Sequence, residues 1–138
     1  MNDRYLCRAK RTDNGEWVEG MPLFYQDGSM TIYSQNQAQT VGFHIQNNGH
    51  CDRNTLCQCT GLKDKNGKLI WENDIMVAHL DDKFPEDTTY TRVVWDNNGF
   101  CTKEQGSEDI SPLDKFDQEH FEVCGNLFDN PELLEEGE

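Results

Sequence analysis

"CTGLKDKNGKLIWENDIMV", residues 59–77, places a turn, two short apolar runs and three acidic side chains in one stretch. Asn66-Gly67 accepts the positive φ of a tight hairpin turn, so the runs on either side read as antiparallel strands. "LIW" (69–71) and "DIMVAHL" (74–80) follow as extended segments. Asn14-Gly15 and Asn98-Gly99 repeat the same turn chemistry between other runs of strand length. Working outward, strands are predicted near 4–11, 17–26, 29–34, 55–60, 69–80, 90–95, 100–104 and 121–128. Residues 35–50 are rich in Gln and Asn and read as a loop-like insertion, with a short strand at 41–45. Residues 81–91 read as a second insertion, charged and holding Pro85. "SPLDKF" (111–116) reads as one helical turn capped by Ser111 with Pro112 first in the helix. Residues 129–138 read as an acidic tail with a short helix at 131–136, capped by Asn130. The whole predicts a single mainly β domain over 1–138: an antiparallel, SH3-like small barrel with a short C-terminal helix.

Twelve basic against 26 acidic residues give a formal charge of −14. Such a surface repels phosphate, because nucleic-acid affinity comes largely from Lys and Arg displacing counterions. The bland reading of the charge is solubility; the sharper one is an acidic face that meets a basic protein surface. Apolar runs fall well short of the roughly 18 residues that span a bilayer, so no membrane is expected. The opening "MNDRYLCRAKRTD" lacks the apolar stretch of a secretory signal, which predicts a cytoplasmic protein.

Six cysteines invite a metal or disulfide reading. Cys51, Cys57 and Cys59, with His44 and His50 nearby, would be the candidate ligands, but no C-x2-C pair exists. No metal and no cofactor are therefore expected. Carboxylate pairs such as Glu72/Asp74 are plentiful enough to arise by chance, and Asp74 is better explained as a turn acceptor for backbone N–H groups. His79 and His120 sit beside apolar residues, where a packing role outweighs a catalytic one. With no Ser-His-Asp spacing, P-loop or G-x-G-x-x-G, the chain is not expected to be an enzyme. Trp17, Trp71 and Trp95 each lie in a predicted strand. With Leu133 and Leu134 of the tail they form the candidate interaction surface, against the competing reading that the indoles fill a core.

"QCTGLKDKNGKLIWENDIMV" (58–77) and "FEVCGNLFDNPELLEE" (121–136) closely resemble the two signature segments of the YopX family. "RYLCRAKRTDNGEWVEG" (4–20) and "VVWDNNGF" (93–100) match it more loosely. The resemblance covers about half the chain and implies a mainly β fold around an SH3-like barrel. It also implies an origin in bacteriophages and prophages, hence the cytoplasm of a bacterial host. It implies no catalytic residue. Gly61, Leu62, Asp64, Asn66, Gly67, Asp74, Gly125, Asn126, Asn130 and Pro131 match the family pattern and look like turn and strand-start chemistry. Where the family usually has Gly before Asp74, this chain has Asn73, the next best residue at positive φ. Cys7, Cys51, Cys59 and Cys124 fall where relatives carry aromatic or aliphatic residues, and Cys57 where they often carry Gly, which implies small buried hydrophobes.

The function expected from all this is a non-enzymatic protein-binding accessory module, partnered by a host or phage protein or by copies of itself. Two alternatives stand beside it. One is a nucleic-acid-binding barrel, which needs "RAKR" (8–11), Lys63, Lys65 and Lys68 beside exposed aromatics. The other is an acidic inhibitor occupying a basic site on a host protein.

Overall fold

A computed structural model describes residues 5–35, 45–79, 88–96 and 99–135. The chain is mainly β and antiparallel. Its contacts divide into two compact units, Met1–Cys59 and Thr60–Glu138.

The first unit holds β1 (Cys7–Arg11), β2 (Trp17–Phe24), β3 (Met30–Gln35) and most of β4 (Ile45–Lys63). β1 pairs with β2, β2 with β3, β3 with β4, and β4 returns to β1, so the sheet closes on itself as a small barrel. β2 changes partner at Gly20: residues 17–20 face β1 and residues 21–24 face β3. A Cβ at Gly20 would lie 2.1 Å from the Tyr33 carbonyl oxygen, so only glycine allows this approach. The β1–β4 ladder shifts register between Arg8 and Lys10, and a side chain repairs the gap. Thr55 Oγ1 accepts from the Lys10 amide at 2.8 Å and donates to the Asp52 carbonyl at 2.6 Å. Ala9, Met30, Ile32 and Cys51 form the core, with Cys7, Val18 and Leu56 packed around them.

In the second unit the end of β4 pairs with β5 (Leu69–Trp71) across the Asn66-Gly67 turn. An open sheet follows in the order β10-β6-β7-β8-β9, with β6 at Asp74–Ala78, β7 at Thr89–Asp96, β8 at Gly99–Glu104, β9 at Ile110–Pro112 and β10 at Glu122–Asn126. Ile70, Met76, Ala78, Val93 and Phe121 make its core. Helix α1 (Lys115–His120) is capped reciprocally by Asp114 and Asp117, each carboxylate accepting the other residue's backbone N–H at 3.1 Å.

Several predicted elements are corrected. Residues 46–50, expected in a loop, belong to the 19-residue strand β4, because Asn48 Nδ2 bonds the Ile32 carbonyl and ties this polar segment to β3. Of the predicted strand 41–45 only Ile45 is described, and it is strand; residues 36–44 of the first insertion lie outside the described residues, as do 81–87 of the second. Thr89–Thr91, also assigned to that insertion, are already strand. The 69–80 strand is two strands, split where Asn73 takes φ 69°. Ser111 and Pro112 belong to β9, and the helix starts three residues later, because Asp114 and Asp117 supply a capping box that Ser111 lacks. The terminal helix is a 3-10 turn over Pro131–Leu134, with no side-chain bond from Asn130 to its start. The Asn130 side chain instead accepts the Asn126 amide at 3.2 Å, and it fills the space where a Cβ on Gly125 would sit.

Candidate interaction surface

The signature residues build backbone geometry. Asp64 is 6% exposed, and its carboxylate holds three amides: Asn66 and Lys68 within the turn at 2.9 Å each, and Val123 of β10 at 2.8 Å. One buried carboxylate thus locks the hairpin to a strand 59 residues away. Asp74 accepts the Trp71 amide at 2.7 Å, the turn-acceptor role read from the sequence. The Asn73 backbone N–H donates to the Val93 carbonyl at 2.8 Å and its carbonyl accepts the Leu127 amide at 2.9 Å, so the turn at positive φ is tied to β7 and to the residue that follows β10.

The five candidate surface residues divide. Trp71 is 3% exposed, so its ring is interior and is withdrawn from the surface. Trp95 is 55% exposed and meets Phe100 edge-on at 4.9 Å. Trp17 is half-buried under two cations, Arg8 at 4.7 Å and Lys10 at 5.4 Å from its ring centre. Leu134 lines a shallow cleft with Arg92 and Lys103, and Gln105 Nε2 donates to the Glu135 carbonyl at 2.7 Å. The tail therefore packs on its own unit.

Further apolar exposure lies elsewhere. Met21, Leu23, Phe24 and Tyr25, at the end of β2, are 51, 44, 49 and 43% exposed. Past Gly20 the apolar residues occupy both faces of the strand, and a small barrel buries only one. The sequence carries the signal in "MPLFY", where strand alternation stops. The Arg53 guanidinium covers Phe24 at 5.2 Å and is held by the Gly28 carbonyl at 3.0 Å. Beside the strip an open groove of about 320 Å³ runs past Tyr25, Thr31, Asn47 and His50. A hydrogen bond with Tyr33 raises the Tyr25 phenol above its ordinary pKa. Aromatic, Met and Arg side chains bordered by polar groups are the composition of a protein-binding patch.

Other chemistry is sparse among the described residues. No three His, Cys, Asp or Glu side chains there come together as a metal site. None of the six cysteines is disulfide-bonded. Cys51, Cys57 and Cys59 are buried, as the resemblance implied, and burial pushes the Cys51 thiol up, away from the reactive thiolate. Cys7 is only partly buried, and Cys124 is exposed, with Sγ 3.5 Å from the Ile75 carbonyl. His79 is exposed, and His120 stacks on Phe116 at 4.1 Å. No helix among the described residues is long and apolar enough to cross a membrane.

The family model described as YopX protein matches residues 7–135. The chain belongs to the YopX family. Two solved structures resemble this YopX chain over nearly its whole length. Protein EF1440 from Enterococcus faecalis is 26% identical with a TM-score of 0.61, covering 94% of this chain and 96% of its own. Protein yopX from Bacillus subtilis is 19% identical with a TM-score of 0.59, covering 100% of both chains, a likeness of fold alone. No curated protein matches the chain.

Proposed function

We propose that this YopX chain is a phage- or prophage-encoded accessory module, working in the bacterial cytoplasm, that binds another protein and catalyses no reaction. The observation that carries this reading is the exposed strip of Met21, Leu23, Phe24 and Tyr25 on a closed barrel. Isolated exposed hydrophobics are ordinary, whereas contiguous ones mark contact surfaces. The occupant is a host or phage protein, or a second copy of the chain. The acidity of the second unit favours a basic partner, as an inhibitor of a basic site would have. Tagged wild-type protein and the Met21→Lys/Leu23→Lys variant, passed through lysate of the bacterial host and read by mass spectrometry, test it. A partner retained by wild type and lost by the variant is expected. Light scattering over a concentration series reports self-association in the same pair. Equal recovery from both, with both monomeric, would remove the strip from the reading.

One observation favours a second reading, a nucleic-acid-binding barrel. Residues 1–59 hold five Lys and Arg against six Asp and Glu, a net charge of −1, and Arg8 and Lys10 flank Trp17. The negative field that opposes phosphate binding therefore belongs mainly to the other unit's residues. Saturable oligonucleotide binding at about 0.15 M salt, abolished by Trp17→Ala, would favour this reading over the first.

A further inference from the structure

The second unit carries a cleft that the β2 strip does not explain. In the registers of β7, β8 and β9, Thr91 lies opposite Glu104 and Thr102 opposite Ser111. Around Val93 and Phe121 this region is core, and past Thr91 and Thr102 it opens into a cleft of about 400 Å³. Glu104, Asp109, Asp114 and Asp117 all line the cleft, and among the described residues no basic side chain does. Thr91 lines it too; it is 5% exposed, and its Oγ1 is buried with no hydrogen-bond partner. A buried hydroxyl without a partner is costly unless a ligand or water supplies one. Phe116, half exposed, adds a ring.

These groups define the ligand. Glu104 also borders Arg92 and Lys103 on its other side, but Asp109, Asp114 and Asp117 share the cleft with no basic side chain among its described lining residues, and together they call for positive charge. The described carboxylates do not gather three at one point, so they suit a cation whose donors are spread out rather than a bare metal ion. Asp114 and Asp117 are held together by the capping box, and burial, with Asp114 beside it, keeps the Asp117 carboxyl above its ordinary pKa. A guanidinium offers five donors in a flat fork and a face that stacks on a ring, which an ammonium does not.

We propose that this cleft binds the guanidinium of an arginine side chain presented by a protein partner, with Glu104, Asp109 and the Asp114/Asp117 pair accepting its N–H groups and the Thr91 hydroxyl taking up a bond. The proposal rests on the protein-binding reading but uses different residues, so the two fail separately: Met21→Lys/Leu23→Lys leaves the cleft intact. The test is amide-resonance titration of the full chain with three probes: a short capped peptide with one central arginine, the same peptide with citrulline, and free arginine. Saturable shifts at Thr91, Glu104 and Asp109 with the arginine peptide, weak or absent with the other two, are expected. Glu104→Gln/Asp109→Asn, both exposed positions, should weaken binding by roughly tenfold or more. Thr91→Val should weaken it several-fold without lowering the melting temperature. No saturable shift by about 10 mM peptide, equal binding of the citrulline peptide, or unchanged affinity in the double variant would overturn the proposal. Free arginine binding as tightly as the peptide would overturn the assignment to a protein partner.

Discussion

The two units of this chain handle charge in opposite ways. Residues 1–59 carry five basic and six acidic residues, a net of −1, while residues 60–138 carry seven and twenty, a net of −13. The interiors differ in the same sense. Among the described residues the buried polar side chains of the first unit are the neutral Thr31, Asn48 and Thr55, whereas the second buries Asp64, Asp74 and Asp117 beside Thr60, Thr91 and Thr102. A closed barrel satisfies most backbone groups through its ladders and needs only small hydroxyl and amide repairs. In the second unit the turns and the helix start leave amides that buried carboxylates collect: Asp64 takes those of Asn66, Lys68 and Val123, Asp74 that of Trp71, and Asp117 that of Asp114. Closure does in one unit what buried acid does in the other.

The sharpest way to break this contrast is at the barrel's corner. Gly20→Ala puts a Cβ 2.1 Å from the Tyr33 carbonyl oxygen, which is backbone and cannot swing away. A loss of about 4 kcal/mol or failure of the barrel to close is expected. Urea unfolding followed by hydrogen exchange should show protection lost in β1–β3. Retained protection there would show that the corner relaxes.

The counterpart in the second unit is Asp64→Ala, which leaves the Asn66, Lys68 and Val123 amides without their acceptor. A cost of about 3 kcal/mol in urea unfolding is expected, because the lost bonds were charge-assisted and part-buried. Less than about 1 kcal/mol would mean that water replaces the carboxylate.

A smaller effect separates local conformation from side-chain bonding. Asn73 sits at φ 69°, so Asn73→Ala should cost about 1 kcal/mol while Asn73→Gly stays within about 0.5 kcal/mol of wild type. Equal losses from both would assign the position to the Asn side chain instead.

The pH dependence should also be one-sided. Asp117 has its carboxyl raised above the ordinary 3.8, chiefly by burial. The folded state therefore holds this proton more tightly than the unfolded state. The associated stability is fully present below the ordinary value and is lost as pH rises through the raised one. Asp117→Asn should flatten that part of the unfolding profile, read as melting temperature against pH. An unchanged profile would show that other groups set it.

Much of the local structure was legible in the sequence. Asn14-Gly15 and Asn66-Gly67 form turns with Gly15 at φ 72° and Gly67 at φ 82°, Asn73 adopts the positive φ expected of it, and Asp74 accepts an amide. Each of these depends on one residue's conformational range or on a side chain reaching its own near neighbours, so a short window contains the cause. The signature segments carried the family for the same reason.

What only the tertiary structure decided involves residues far apart along the chain. β4 runs as strand from Ile45 because β3 and β1 offer it partners, although its Gln and Asn residues argue for a loop. Trp17 and Trp71 have the same strand-like setting in sequence, yet one lies under Arg8 and Lys10 and the other is interior. The exposure of Met21, Leu23 and Phe24 appears only in the folded sheet, where apolar residues on both faces of the end of β2 stay in water. The cleft beneath Thr91 exists because three strands and a capping box bring hydroxyls and carboxylates together. Backbone preference acts over a few residues, whereas burial depends on which strands close over which face, and that is settled only when the whole sheet has paired.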